Sequence, residues 1–446
     1  MTTTAARSIQ TRSVSRRAWL ITTLLFLFML LNFADKAVLG FAGVHIQRDL
    51  GISPQQFGLL QSSFFWLFAV GAIVLGALSS RISLRWLLSG LMLVWVLTMI
   101  PLLGTVSFGV LLASRIILGF AEGPAAALAT HCVQSWFPAH KRGVPLGITT
   151  SGAAVGPLLA APIMTWIIAT WSWHAAFGVL VVSGSLWALA WLIFGKDAPA
   201  EVLQESSSES NSPGTSSGSG PLVDISLRTV LTSGTVIGVG LLLFFSYWST
   251  TLKVAWLPVY LSDGLGYNTL TTGRLIMIPY AVAAVASMTV GLISNKLIAR
   301  GASRRVARGY LAGGLIVIAG LAMAGFTTLA AGWPQIVLIT VAFSANTAAY
   351  VVAFAAIGDV VHPRKRGTVL GCIVAFYSMA GIIAPLLLGY LVGNAADKIS
   401  GYQQGFMITG VLMAVGGAAA TLLVRPDLDV AKFAKQAAKQ ALPTSR

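Results

Sequence analysis

Charge is scarce in this chain of 446 residues: Asp, Glu, Lys and Arg together make 9% of it, and the acids number only 13. A soluble globule of that length needs more polar surface than this, so water is excluded as its main solvent. Cysteine is scarcer still. Cys132 and Cys372 lie in apolar stretches of opposite halves, which argues against a disulfide framework and reads as packing. The apolar segments contain no His-Glu-x-x-His, no Gly-x-Ser-x-Gly and no metal-spaced group of ligands. Neither an enzyme nor a bound metal or cofactor is therefore expected. Strand-like alternation of polar and apolar residues is also absent.

What the chain has instead is apolar length. It is 56% hydrophobic, with a mean hydropathy of +0.82. A bilayer-spanning helix needs about 20 apolar residues, and its backbone groups must be hydrogen-bonded internally, so long apolar runs read as helices. Spans are expected near 19–42, 56–79, 86–104, 108–134, 144–168 and 175–194, then near 229–261, 271–295, 309–327, 335–359, 368–393 and 404–424. Between the two sets, residues 196–228 include SSSESNSPGTSSGSG, which has no apolar residues for a core and reads as a flexible linker. The expected organisation is a six-helix bundle over 1–195, the linker, a second six-helix bundle over 229–424 and a short tail over 425–446. Two bundles of this kind are a common plan for secondary transporters.

The formal net charge of +16 could point to nucleic acid, but the placement of the basic residues points to a membrane. Arg7, Arg12, Arg16, Arg17, Arg304, Arg305, Arg308 and Arg364 to Arg366 all fall on the side of the termini, whereas Arg48 and Lys398 fall in loops on the other side. The positive-inside rule then puts both termini in the cytoplasm of a bacterial inner membrane, with lipid headgroups and no nucleic acid as neighbours. Asp35 and Lys36 interrupt the first apolar run and no small-residue cleavage site follows it, so that run is a span and not a signal peptide. Trp19, Trp86, Trp136, Trp171 and Trp173 lie near span ends and fit interfacial belts.

Five charges fall at membrane depth: Asp35, Lys36, Arg115, Glu122 and Lys253. An ionised side chain at the bilayer centre costs at least about 2.5–3.5 kcal/mol on insertion scales, so such residues are functional candidates by default. Arg115 and Glu122 are seven residues apart, on nearly one helix face and separated by about 10.5 Å along the axis. That is too far for a direct pair, which makes Asp35 and Lys36 the natural partners. Adjacent residues diverge by about 100°, so only one of those two can point to the centre. Fixed cations that bind a carboxylate, beside carboxylates that carry protons, are the parts of anion symport. A closed ion-pair network that merely locks two helices is the plainer alternative. Lys253 follows Ser249, Thr250 and Thr251 and can equally serve an anion or a backbone carbonyl.

Asn32-Phe33-Ala34-Asp35-Lys36, RIILGFAEGP at 115–124 and WFPAHKRG at 136–143 together resemble motifs of the major facilitator superfamily, and within it the anion:cation symporters that include galactonate and other sugar-acid transporters. The resemblance implies an all-α membrane protein of twelve transmembrane helices in two pseudo-symmetric bundles. It implies proton coupling at Asp35 and Glu122, and anion binding at Lys36 and Arg115. Gly76 to Arg81, with Arg85, resembles that superfamily's gating loop, and Gly291 to Lys296 resembles its second copy. Ser80 and Asn295 stand where an acid is usual, so neutral hydrogen bonds or contacts of Arg81 with helix ends are expected to replace a charged latch. The halves also echo each other in Arg142-Gly143-x-x-x-Gly147 and Arg366-Gly367-x-x-x-Gly371.

Phe33 and Phe68 stand where the galactonate-like branch tends to have Tyr, which suits a small or partly apolar carboxylate better than a richly hydroxylated one. Tyr247, Trp248, Ser344, Asn346, Tyr377 and Ser378 are candidates for the substrate's second wall, with helix packing as the alternative for each. The function expected is import of a small organic anion with protons, by a monomer. The alternative is proton-driven export, because Gly152 to Ala161 approximates the fifth-helix motif of drug antiporters, although close helix packing gives the same spacing.

Overall fold

The computed structural model describes residues 15–199 and 225–441. Most of the expected linker, with Arg7 and Arg12, lies outside the described residues. Twelve helices are long and apolar enough to cross a membrane. The first six are α1 (Arg16–Phe41), α2 (Pro54–Leu78), α3 (Leu84–Leu103), α4 (Phe108–Trp136), α5 (Gly143–Thr170) and α6 (Trp173–Phe194). After the gap come α7 (Gly234–Ala255), α8 (Thr269–Ala299), α9 (Arg305–Phe326), α10 (Trp333–Val360), α11 (Arg364–Asn394) and α12 (Lys398–Leu423). No strand occurs among the described residues.

Local chemistry sets the helix ends. Ser53 opens α2 with a capping box, its hydroxyl accepting from the Gln56 N–H while the Gln56 side chain accepts from the Ser53 N–H, and Pro54 follows at the first helical position. Ser172, Ser233, Asn268 and Asp397 cap α6, α7, α8 and α12 in the simpler way. Two spans are interrupted. In α2 the helix stops at Ser63 and resumes at Phe68, where Ser62 and Ser63 bond back to carbonyls three residues earlier and the backbone tightens into consecutive turns. In α4 it breaks at Gly123-Pro124, since Pro124 has no N–H to continue the ladder. The seventh span ends earlier than its apolar run suggested, at Ala255, because Pro258 follows.

Glycines set the packing within each half. Gly152 and Gly156 bring α5 onto the α1 backbone at Phe26 and Leu30, and Gly313 and Gly320 do the same for α9 against α12. The antiporter-like spacing at 152–161 is thus occupied by helix packing. The repeated Arg-Gly motif has a structural counterpart: Arg142 Nε donates to the Phe137 carbonyl at 2.8 Å, and Arg366 Nε to the Val361 carbonyl at 2.9 Å.

Among the described residues, the closest backbone approaches between the two halves gather toward one end. At the end away from the termini, a Cβ on Gly58 would lie 2.6 Å from the Pro385 carbonyl oxygen, one on Gly273 would strike Thr165, and Gly393 faces Gln55. Deeper along the seam, Gly40 of α1 receives the Val254 carbonyl of α7, and Gly381 of α11 receives the Phe65 ring. At the terminal end Gly76, Gly143, Gly147, Gly358, Gly367 and Gly371 face open space. The bundle is therefore closed at the far end and cleft at the terminal end.

Several expectations need correction. Cys372 is exposed, and only Cys132 is a packing residue. Trp19, Trp86 and Trp171 are exposed as belt residues should be, but Trp136 and Trp173 are buried, Trp173 because its indole donates to Asp49 at 2.7 Å. The tail is no loose appendage. It forms α13 (Pro426–Ala441), which buries Phe433 and Asp429, and Asp429 accepts from the Thr235 N–H at the start of α7.

Candidate functional site

The four charges expected at α1 and α4 converge. Lys36 Nζ lies 3.0 Å from Glu122 Oε2, and Arg115 Nη1 lies 3.9 Å from Asp35 Oδ1. Glu122, Arg115 and Asp35 are almost fully buried, while the Lys36 side chain keeps 18% exposure and is the member of the set that solvent reaches. The two pairs are crossed in sequence: neighbours on α1 hold residues two turns apart on α4. This solves the distance problem between Arg115 and Glu122.

The helical divergence of Asp35 and Lys36 decides which one sees the cleft. Asp35 and Leu31 turn toward α3 and α6, where they line a void of about 10 Å³ with Met92, Trp95, Val96, Met99, Leu180 and Gly184. That is about the room one water needs. Both Asp35 oxygens and the Trp95 indole nitrogen lack hydrogen-bond partners there. Lys36 faces the other way, its ammonium also accepted by Asn32 Oδ1 at 2.9 Å and lying 4.4 Å from the centre of the Phe33 ring. Phe64 and Phe68, at 5.6 Å each, complete an aromatic collar, and the Arg115 guanidinium lies 5.1 Å from Phe64. The interrupted α2 supplies two members of that collar, because the turns at Phe64 to Leu67 bring Phe64 and Phe68 to one side.

Across the seam the second half presents aromatic hydroxyls. Phe65 meets Tyr247 edge-on at 5.8 Å, Tyr247 packs on Tyr377 at 4.7 Å, and Tyr350 donates to the Tyr377 hydroxyl at 2.9 Å. Lys253 is buried, donating to the Phe343 carbonyl at 3.1 Å and to Thr347 Oγ1 at 3.2 Å, with the Tyr280 ring 4.7 Å away.

Other expected wall residues are not brought into this group. Trp248 donates to Thr409 on α12, Ser344 to the Pro279 carbonyl on α8, and Ser378 to Val374 one turn back on its own helix. Asn346 spends its amide on the Ser246 carbonyl and on Thr250. These polar groups are satisfied by neighbouring helices of the second half. Tyr350, Phe64, Phe65, Thr347 and Tyr280 were missed by the sequence reading. Tyr350 lies four residues after Asn346 on the same helix face, and the run Phe64-Phe65-Trp66-Leu67-Phe68 carried the signal for the collar.

The gating-loop residues also act within their own half. Gly76 faces open space, and Arg81 is exposed, its N–H bonded to the Leu78 carbonyl and its guanidinium without a hydrogen bond or ion pair among the described residues. Arg85 donates through its guanidinium to the Leu192 carbonyl and through its N–H to Asp197, fastening α3 to the end of α6. In the second copy Arg308 donates to the neutral Ser294 and Asn295, and an ion pair within the same half accompanies these bonds. Arg308 Nε lies 3.1 Å from Asp359 Oδ2 at the end of α10. The acid missing from the loop is supplied by α10. Aligned on its Arg-Gly pair, the first half has Ser135 where the second has Asp359, so that half lacks the acid on α4 as well.

Comparison with known proteins places this geometry. The profile of the Major Facilitator Superfamily matches residues 25–350 and 302–445. The Hexuronate transporter of Bacillus subtilis (strain 168) is 29% identical over 411 residues, covering 90% of this chain and 94% of that protein. The Probable sulfoacetate transporter SauU of Cupriavidus necator is 27% identical, with 91% and 93% covered. The D-galactonate transporter of Escherichia coli O6:H1 is 26% identical, with 92% and 96% covered. Among solved structures, a bacterial homologue of the human lysosomal transporter Spinster, in an inward-facing unoccupied conformation, superposes with a TM-score of 0.76 at 18% identity, covering 94% of this chain and 99% of that one. A D-xylose-proton symporter superposes with a TM-score of 0.71 at 17% identity, with 92% and 98% covered. The chain belongs to the Major Facilitator Superfamily and is a twelve-span membrane transporter, not an enzyme.

Proposed function

We propose that this protein imports a small organic anion together with protons, by alternating access, across a bacterial inner membrane with both termini in the cytoplasm. The observation that carries the reading is the crossed pair of buried ion pairs, of which Lys36 alone faces the cleft. The relatives named as hexuronate, sulfoacetate and galactonate transporters all carry organic anions in their names, which supports the substrate class.

Glu122 and Asp35 are the proton carriers of the scheme. While both are ionised they hold Lys36 and Arg115, so the cations are not available to a solute. Protonation of Glu122 releases the Lys36 ammonium, which then binds the substrate's anionic group inside the collar of Phe33, Phe64 and Phe68. Protonation of Asp35 does the same for Arg115. Tyr247, Tyr350 and Tyr377 offer hydroxyls from the opposite half, and Lys253 a further cation. Trp248, Ser344, Asn346 and Ser378 then support this wall through packing and hydrogen bonds within the second half. The loops at Gly76, Arg81 and Arg85, and at Arg308 and Asp359, belong to closure of the terminal end, which in this orientation is the cytoplasmic gate.

The test is transport in proteoliposomes of defined orientation. With an inward proton gradient the wild type accumulates an organic anion, and Glu122→Gln exchanges it in counterflow without accumulating it. Full accumulation by Glu122→Gln removes Glu122 from the coupling. Substrate movement opposite to the proton gradient replaces import by proton-driven export.

A further inference from the structure

Buried charge in the first half sums to zero, with Asp35 and Glu122 set against Lys36 and Arg115. In the second half Lys253 has no such offset at membrane depth, since the other buried acid there, Asp429, lies on α13 and accepts from the Thr235 N–H. Lys253 is 3% exposed, and among the described residues no carboxylate lies within ion-pair distance of it. Its ammonium is held by neutral acceptors alone, the Phe343 carbonyl and Thr347 Oγ1, and one of its three hydrogens has no acceptor. A cation buried without a counter-ion at membrane depth is costly and is retained where a partner arrives in function.

A second observation points to the nature of that partner. Two hydroxyls beside Lys253 have no hydrogen-bond partner: Tyr280 OH, whose ring lies 4.7 Å from the ammonium, and Ser249 Oγ, one helical turn earlier on α7. Both residues are buried. Each of these two hydroxyls carries a hydrogen to donate, whereas Thr347 already donates to the Phe343 carbonyl, so the ammonium with the two unused hydroxyls is matched to an anionic oxygen group.

The position of Lys253 relates it to the cleft. Its neighbour Val254 packs against Gly40, and Gly40 lies one turn beyond Lys36 on α1. Lys253 precedes Val254 by one residue on a helix parallel to α1, so the ammonium-bearing residues of the two halves are offset by about 4.5 Å along the axis. They stand on helices whose axes, where they touch, are about 8–10 Å apart.

We infer that Lys253, held in place by Thr347, forms a second anion subsite with Ser249 and Tyr280, and that the transported solute is a dianion, a dicarboxylate or a sulfonated carboxylate, whose two charged ends are held by opposite halves. The inference rests on the anion-transport reading above and adds to it the class of solute. The Tyr280 ring lies over the ammonium in this conformer and its hydroxyl is unpaired. A dianion joins the halves across the seam, whereas a monoanion engages one of them.

The experiment uses matched probes in counterflow: glucarate against gluconate, succinate against butyrate, and sulfoacetate against acetate. The wild type is expected to prefer the dianion of each pair. Lys253→Gln is expected to lose that preference, with the apparent affinity for dianions falling at least ~10-fold, the size expected for loss of one charge-assisted contact, and that for monoanions falling less. Tyr280→Phe removes only the unused hydroxyl and is expected to weaken dianions by roughly 3- to 10-fold. Thermal unfolding in detergent checks that each variant is folded. If Lys253→Gln fails to fold, Tyr280→Phe decides. An unchanged dianion-to-monoanion ratio in the folded variants, or a wild type that carries both members of each pair alike, overturns the subsite while leaving anion transport standing. A wild type that moves none of the six anions overturns the transport reading, and the subsite with it.

Discussion

Replacing Gly58 by Ala tests whether the far-end contact between α2 and α11 fixes the conformer. The new Cβ would lie 2.6 Å from the Pro385 carbonyl oxygen and 3.2 Å from Gly389 Cα. Favourable contacts between carbon atoms need about 3.5–4.0 Å, so the helices must part by several tenths of an ångström. The obstructing atoms are backbone on both sides, and no side chain can rotate away. Overpacking of this kind costs typically about 1–3 kcal/mol. The gain in helix propensity from Gly to Ala, about 1 kcal/mol, cancels between conformers because Gly58 is helical in each. The net penalty falls on the far-end-closed state alone and shifts the equilibrium toward far-end opening by about 5- to 150-fold. Spin labels at Arg48 and Ala396, exposed residues of opposite halves at the far end, report the change as a longer distance in a background lacking Cys132 and Cys372. Gly90→Ala is the control, since Gly90 is an exposed position of α3 outside the gate and faces open space. If Gly58→Ala is folded and its distance distribution matches that of wild type, the far-end seam does not set the conformer and the reasoning fails.

Gly371→Ala acts in the opposite sense: Gly371 meets nothing while the terminal end is open, so the substitution is silent in this conformer and disfavours closure there, and the labels at Arg48 and Ala396 should shift toward the shorter distance. For the charged cluster, Lys36→Met and Glu122→Gln are each expected to cost about 2–3 kcal/mol, below the usual 3–5 for breaking a buried pair because Lys36 keeps Asn32 and some solvent. The double variant should lose less than the sum of the two, and additive losses in detergent unfolding would mean that the pair is not coupled. Asp429→Ala removes the side chain that accepts from Thr235 N–H at the start of α7 and is expected to lower stability by about 1 kcal/mol. An unfolding midpoint equal to wild type would show that α13 does not support the bundle.

The number and type of spans were readable in the chain because membrane insertion is a local property of apolar length, and the same locality made Asp35, Lys36, Arg115, Glu122 and Lys253 stand out by depth alone. The broken α2 was less legible. Its break comes from Ser62 and Ser63 bonding backward, and neither residue differs in sequence from the many serines that do no such thing. Trp173 and Cys372 show the same limit in reverse, one taken for an interface anchor and found buried on Asp49, the other taken for packing and found exposed.

Composition and periodicity alone determined that this is a twelve-helix membrane bundle with a few charges in its interior, since the bilayer tests each segment separately against hydrocarbon. Only the tertiary structure decided which charges are paired, that Lys36 faces the cleft while Asp35 turns toward α3 and α6, that Arg308 finds its acid on α10, and that Lys253 has none among the described residues. Those outcomes depend on how neighbouring helices are rotated and offset, which is set by close approach at Gly40, Gly58, Gly152 and Gly156 to partners far away in the chain.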